Sequence, residues 1–238
     1  MGKFQYKHYL LAVMVLVGVV SVFDRFVFAL VLEPIKQDLG LSDSQLGLMT
    51  GIAFAAFYAV AGIPIARWAD RGNRISISAL TVGLLGIMLA SCGLAANFHQ
   101  MLFARAGVAV GEAGSIPTAQ SLLADYFNRS ERPRAMAILF MSYPIAMIVG
   151  YLSGGWLVDS FGWRTTFVLL GIPGVLMAVL VKATLREPRL IKQASNQKTP
   201  SLSEQPVFST VLRVLWQKKT FRHICISFCI SHFFIMGT

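Results

Sequence analysis

Long apolar segments alternate with short polar ones along this 238-residue chain. Six of the apolar segments are each about as long as the roughly 20 residues that a helix needs to cross a bilayer. They lie at residues 8–31, 44–66, 75–96, 98–122, 134–157 and 163–185. The chain is then polar over residues 186–220, and a seventh apolar segment begins at Phe221 and reaches Thr238. The pattern therefore predicts an all-α integral membrane protein with six spanning helices and a truncated seventh.

Composition supports the membrane class. Hydrophobic residues make up 55% of the chain and charged residues 13%, with a mean hydropathy of +0.64, whereas a soluble domain carries about 25% charged residues. A net charge of +10 would indicate a nucleic-acid partner in a soluble protein. Here nearly all Lys and Arg fall on one side if the N-terminus is cytoplasmic, as the positive-inside rule requires. The exceptions are Arg25, Lys36, Arg105 and Arg164. We therefore expect a multi-pass protein with a cytoplasmic N-terminus and no nucleic-acid partner.

Three regions follow from these segments. Residues 1–185 form the six-helix unit, residues 186–220 a cytoplasmic linker, and residues 221–238 the start of the seventh helix. Apolar residues between Val207 and Trp216 recur with helical spacing and predict a short amphipathic helix on the inner membrane surface. An ordinary cytoplasmic loop with a local helix fits the same residues equally well.

Small and polar residues give two local predictions for the second span. Ser42 and Gln45 have the spacing of a capping box at a helix N-terminus. Small residues then recur at every fourth position, which lets two helix backbones approach closely in a membrane. We therefore expect a helix–helix seam along Gly47, Gly51, Ala55 and Ala59.

Four charged residues lie well inside predicted spans, where an unpaired charge costs several kcal/mol. Asp24 and Arg25 lie about seven residues before the outer end of the first span, and Arg105 lies about seven residues after the outer start of the fourth. Glu112 lies about two helical turns deeper. We expect these groups to neutralise one another across a shared polar cavity. Asp24 and Glu112 are the candidates for proton coupling, and Arg25 and Arg105 for the cavity charge network or solute binding. A static ion-pair network that only holds two helices together is the alternative.

No enzyme, cofactor or metal site is predicted. The chain has no paired nucleophile and base for hydrolysis and no His-Glu-x-x-His cluster. Its three cysteines, Cys92, Cys225 and Cys229, lie in apolar segments and suggest packing rather than ligation.

The polar segment after the second span resembles the cytoplasmic signature of the major facilitator superfamily, Gly-x-x-x-Asp-Arg-x-Gly-Arg-Arg. Asp70, Arg71 and Arg74 match it, whereas Ala66 and Asn73 replace its two glycines. In that family this loop helps to latch one half of the protein against the other. The resemblance implies the same gating role for Asp70, Arg71 and Arg74.

Further motifs resemble the spinster branch of that superfamily. They are Asp24-Arg25, Gly111-Glu112-Ala113, Asp159-x-x-Gly162-Trp163-Arg164, and Arg186-Glu187-Pro188. Arg105 and Gly111 match the fourth-helix pattern of the superfamily as a whole, Arg-x-x-x-Gly-x-Gly, with Ala109 in place of its first glycine. A segment similar to the antiporter signature has Tyr151 in place of its proline. The resemblance implies the N-terminal half of a twelve-helix fold, built from two inverted three-helix repeats, with its first and fourth helices facing a central cavity.

The function that this resemblance implies is proton-coupled secondary transport of an amphipathic or organic anionic solute, for example one like a lysophospholipid, by alternating access in a bacterial inner membrane. The expected partners are the solute, protons, lipid and a C-terminal half, from the same gene product or a second copy. The alternative is a passive structural or regulatory membrane protein, or a non-functional fragment.

Overall fold

The structure is a computed structural model that describes residues 3–188 and 214–237. Its chain divides into two units, residues 1–197 and 198–238, which are described separately. The first unit holds nine α-helices and one π-helical turn within the described residues. They are α1 (Lys3–Leu30), α2 (Leu32–Leu39), α3 (Asp43–Gly47), the π-helical turn Leu48–Ile52, α4 (Ala53–Arg71), α5 (Arg74–Cys92), α6 (Phe98–Ala113), α7 (Ser115–Tyr126), α8 (Arg132–Phe140) and α9 (Ser142–Thr184). The second unit holds α10 (Lys219–Gly237).

The predicted second span is a composite helix. Ser42 caps α3 by accepting a hydrogen bond from the backbone N–H of Gln45, while the Gln45 side chain accepts from the backbone N–H of Ser42. The predicted capping box is therefore confirmed. The π-helical turn then joins α3 to α4, so that the helix is continuous from Asp43 to Arg71.

Two prolines divide predicted spans. Proline has no N–H to donate to the carbonyl four residues earlier, so Pro117 leaves the Ala113 carbonyl without its helical partner. The fourth span accordingly breaks at Gly114, between α6 and α7. Pro144 acts in the same way on Phe140, and the break at Met141 separates α8 from α9.

The long helix α9 is two consecutive helices joined at a kink. Gly162 has φ 75° and ψ 164°, a backbone conformation that glycine adopts readily and other residues rarely do. Four described helical stretches are long and apolar enough to cross a membrane: Gln5–Leu30, Asp43–Arg71, Arg74–Cys92 and Arg132–Thr184. Division of the last stretch at Gly162, with α6 and α7 taken together, gives the six predicted spans of a major facilitator half.

Glycines form the close packing seam between α5 and the second part of α9. A Cβ atom on Gly86 would lie 2.7 Å from the Gly171 carbonyl oxygen, and one on Gly174 would lie 2.7 Å from the Gly86 Cα. The predicted seam on the second span is wrong within this chain: Gly47 and Gly51 have no atom within 4 Å of such a Cβ, and Ala55 and Ala59 are exposed. Small-residue spacing identifies a face that permits close approach, but not which faces meet.

Two apolar clusters divide the bundle along its length. One contains Leu10 and Met14 from the first half of α1, and the other contains Val27 and Phe28 near its end. Ser21 and Asp24 are buried between them, and the same change of cluster occurs between α6 and α7, where Glu112 and Ser115 are buried. The bundle therefore contains a polar layer between two apolar cores.

The amphipathic linker helix predicted between Val207 and Trp216 lies mostly outside the described residues, although residues 214–217 are helical.

Candidate functional site

The four charged residues predicted to lie inside spans meet in the polar layer. Asp24 and Arg25 come from α1, and Arg105 and Glu112 come from α6. Asp24, Arg105 and Glu112 are 0%, 3% and 5% exposed. Because such burial makes unpaired charges very costly, the contacts of these side chains determine what the site can do.

Arg105 and Asp24 form one ion pair. The Arg105 Nη1 donates to Asp24 Oδ2 at 2.7 Å. Asp24 Oδ1 and Arg105 Nε are buried with no hydrogen-bond partner among the described residues. The pair thus uses one oxygen of the carboxylate and leaves part of the guanidinium's donor capacity unused.

Arg25 and Glu112 form a second, two-point ion pair. Arg25 Nη2 lies 2.8 Å from Glu112 Oε1, and Arg25 Nε donates to Glu112 Oε2 at 3.0 Å. The Arg25 side chain is 36% exposed and that of Glu112 is 7% exposed. This pair therefore adjoins accessible space, whereas the Arg105–Asp24 pair is enclosed.

Aromatic rings surround both guanidinium groups. The Cζ atom of Arg105 lies 4.1 Å from the ring centroid of Phe28 and 4.8 Å from that of Phe54. The Cζ atom of Arg25 lies 4.8 Å from Phe54 and 5.7 Å from Tyr58. All these distances fall within the range of cation–π attraction. Sequence reasoning missed these aromatic residues, because the spacing of Phe54 and Tyr58 on α4 is equally typical of an apolar face.

A cavity adjoins Glu112 on the side toward the N-terminal half of α1. Its volume is about 190 Å³, and its polar lining includes Ser21, Ser115 and Ser142. The Ser21 and Ser115 hydroxyl oxygens are hydrogen-bonded at 2.7 Å. At about 30 Å³ for each molecule, this space is large enough for several waters.

The structure separates the three residues of the predicted gating loop. Asp70 and Arg71 are exposed in the last turn of α4. Arg74 is instead the first residue of α5 and is 0% exposed. The loop is only Gly72 and Asn73, and the Asn73 side chain caps α5 by accepting from the Ser76 N–H at 3.0 Å. This cap places Arg74 at the helix start, and its gating role together with Asp70 and Arg71 stays a prediction.

Arg74 joins three parts of the fold through a set of contacts that we call the Arg74 clamp. Its partners are Glu187 after α9, and Asp125 and Ser121 on α7. Glu187 Oε2 accepts from the Arg74 backbone N–H at 2.8 Å, and Asp125 Oδ2 lies 2.7 Å from Arg74 Nη2. Arg74 Nη1 donates to the Ser121 carbonyl at 3.0 Å. Sequence reasoning had assigned Glu187 only to a family motif and had not named Asp125.

Among residues 3–188 and 214–237, no group of three His, Cys, Asp or Glu side chains is placed to hold a metal ion.

Comparison with known proteins agrees with this geometry. The sequence pattern described as Major Facilitator Superfamily matches residues 14–238. An MFS-type efflux pump of Mycolicibacterium smegmatis is 41% identical over 169 residues, which cover 71% of this chain and 39% of the pump. A cis,cis-muconate transport protein of Acinetobacter baylyi is 27% identical over 213 residues, or 89% of this chain and 50% of that protein. The chain thus spans half or less of the length of these curated relatives.

A solved structure supports both the fold and the branch. The crystal structure of a bacterial homologue of the human lysosomal transporter Spinster, in an inward-facing and unoccupied conformation, is 35% identical with a TM-score of 0.71. The match covers 90% of this chain and 50% of that one. Members of the superfamily are membrane transporters and not enzymes. This chain belongs to the Major Facilitator Superfamily, resembles its spinster branch and corresponds to the N-terminal half of its fold.

Proposed function

We propose that this chain is the N-terminal half of a proton-coupled secondary transporter for an organic anionic or amphipathic solute. The observation that carries the proposal is two ion pairs inside an apolar bundle, the enclosed pair Arg105–Asp24 and the pair Arg25–Glu112, whose acid is buried. A buried ion pair is weak as a stabilising device, because desolvation offsets most of the Coulomb attraction. Ionisable groups inside a membrane protein therefore favour a functional role.

The two pairs can couple a proton to an anion by exchange of partners. A proton on Asp24 or Glu112 removes the negative charge that holds its arginine. The released guanidinium then has a planar set of donors suited to a carboxylate or a phosphate group. Arg105 is the better candidate to bind the solute, since its Nε has no described hydrogen-bond partner. Deprotonation of the acid restores the ion pair and displaces the anion.

The two acids differ in their access to water. Glu112 lines the 190 Å³ cavity with the serine hydroxyls, whereas Asp24 is 0% exposed. We assign proton exchange with the aqueous phase to Glu112 in this conformation. Asp24 and Glu112 remain joint candidates for the coupling group, because interacting acids titrate as a pair.

The rest of the assembly is proposed on the same basis. A C-terminal half, from the same gene product or less favourably a second copy, completes the central cavity. The exposed small-residue face at Gly47, Gly51, Ala55 and Ala59 suits contact with that half.

The distribution of Lys and Arg residues supports a cytoplasmic N-terminus, and the bacterial relatives support an inner membrane. Organic anions and lysophospholipids are the solute classes to test first, given one relative named for cis,cis-muconate transport and another named for Spinster.

The test is uptake by the full-length protein in lipid vesicles with an imposed pH gradient. The probes are radiolabelled cis,cis-muconate and a lysophospholipid. We expect the parent to accumulate at least one probe, and Asp24→Asn or Glu112→Gln to abolish the gradient dependence while probe exchange persists. Glu33→Gln, which changes an exposed acid on α2, is the control and should behave as the parent.

Two outcomes would refute parts of this proposal. If both neutral variants keep full gradient-driven uptake, the charges are structural and the protein is a facilitator or is coupled to another ion. If the parent moves neither probe nor any other solute, the passive structural alternative is favoured.

A further inference from the structure

Phe54 contacts both arginines of the ion-pair layer. Its ring centroid lies 4.8 Å from the Cζ atom of Arg25 and 4.8 Å from that of Arg105. Phe54 is 6% exposed, so little water competes for the ring. Phe54 comes from α4, whereas the four charged residues of the two ion pairs come from α1 and α6. One uncharged side chain therefore links the two pairs to a third helix.

The attraction of Phe54 for the two cations is electrostatic. The face of an aromatic ring carries the negative part of its quadrupole, and burial strengthens its attraction for a guanidinium. Like charges on Arg25 and Arg105 repel each other, and their shared contact with one ring offsets part of that repulsion. An aliphatic side chain of similar size would fill the space without this attraction.

The position of Phe54 is set by an irregular backbone. It is the second residue of α4, directly after the π-helical turn Leu48–Ile52. A π-helical turn inserts one extra residue and changes the direction of the side chains that follow, and such turns are frequent at functional sites. Tyr58, four residues later on the same helix face, lies 5.7 Å from Arg25. The start of α4 thus presents aromatic rings to both arginines.

We propose that Phe54 is a positioning residue that holds Arg25 and Arg105 in register with their acids and couples both ion pairs to the position of α4. The inference rests on the proposed transport function. Movement of the start of α4 away from α1 and α6 withdraws the ring from both guanidiniums together. Both guanidiniums then lose this support in one step, so that protonation of an acid releases its arginine more readily.

The first experiment reads the contact directly and does not depend on transport. Protein with ¹⁵N-labelled arginine is placed in lipid nanodiscs, and the Nε–H signals of Arg25 and Arg105 are assigned with Arg25→Lys and Arg105→Lys. An aromatic ring displaces the resonance of a nucleus held over its face, so Phe54→Leu should move both signals. Phe57→Leu is the matched control, since Phe57 lies on the same helix and is 44% exposed. Unmoved signals in Phe54→Leu would overturn the proposal.

The second experiment separates ring electrostatics from shape. Gradient-driven uptake of the two probes is compared for Phe54, Phe54→Tyr, Phe54→Leu and Phe54 replaced by a ring-fluorinated phenylalanine, which keeps the shape but weakens the negative face. We expect Phe54→Tyr to stay near the parent and Phe54→Leu to lose about tenfold, which corresponds to about 1.4 kcal/mol. The fluorinated variant should fall between these two.

The outcomes distinguish this inference from the function on which it rests. If the fluorinated protein equals the parent while Phe54→Leu fails, only shape matters and the inference is wrong. If the parent shows no gradient-driven uptake, the proposed function fails, while the arginine signals still decide whether Phe54 holds both guanidiniums.

Discussion

Arg74 and Glu187 are 113 positions apart in sequence, yet the Glu187 carboxylate accepts from both the backbone N–H and the side chain of Arg74, at 2.8 Å and 3.1 Å. The contact fastens the segment that follows the sixth span to the start of the third. Arg74 is fully buried, whereas its signature neighbours Asp70 and Arg71 are exposed. The same motif therefore contains one residue that holds the bundle together and two at the protein surface.

We expect Arg74→Ala to destabilise the bundle. Removal of one member of a buried ion pair costs about 3–5 kcal/mol, and Arg74 also holds the Ser121 carbonyl. The thermal unfolding midpoint of detergent-solubilised protein measures this loss. Arg71→Ala is the control, because exposed substitutions usually change stability by about 0.5 kcal/mol or less. Equal midpoints for the two variants would contradict the prediction that the Arg74 clamp stabilises the bundle.

Asp70→Asn should slow transport without an effect on folding. Asp70 is exposed at the end of α4, where substitutions usually change stability by about 0.5 kcal/mol or less. Its match to the superfamily signature predicts a role in switching between inward- and outward-facing states. Uptake and the thermal unfolding midpoint are measured for the full-length protein. The control is Asp43→Asn, which changes an acid at the opposite end of the continuous helix Asp43–Arg71. Uptake equal to that of the parent would exclude this role.

Arg105→Lys should lose most transport although it keeps the positive charge. A lysine ammonium is a compact, strongly hydrated point charge without the planar group that stacks on an aromatic ring, and Arg105 lies 4.1 Å from Phe28. We expect at least a tenfold fall in gradient-driven uptake. Arg129→Lys, at an exposed position, should have no effect. A fully active Arg105→Lys would show that charge alone is sufficient.

Gly86→Ala should destabilise the contact between α5 and α9. The added methyl group would lie 2.7 Å from the Gly171 carbonyl oxygen, and overpacking of this kind costs about 1–3 kcal/mol. Gly47→Ala makes the same chemical change where no atom lies within 4 Å. The difference between the thermal unfolding midpoints of the two variants measures the cost of crowding at the α5–α9 contact. Equal midpoints would show that the two helices accommodate the methyl group without loss of stability.

The sequence predicts the number of spans and the meeting of four charges well, because both follow from strong energetic penalties. Length and hydropathy limit what can cross a bilayer, and Asp24, Arg25, Arg105 and Glu112 must find partners there. It does not predict the burial of Arg74 or the seam at Gly86, because these depend on which faces meet. The role of Phe54 is likewise hidden, since an aromatic residue on an apolar helix gives no sign that it contacts a cation.

The break at Gly114 separates two sites along what hydropathy alone presents as a single span. Glu112 belongs to α6, whereas Ser121 and Asp125 of the Arg74 clamp belong to α7. The two parts of this span therefore serve different sites, since α6 carries the ion-pair layer and α7 carries two partners of Arg74. A substitution in the clamp thus lies on a different helix from the ion pairs, although hydropathy assigns both to one span.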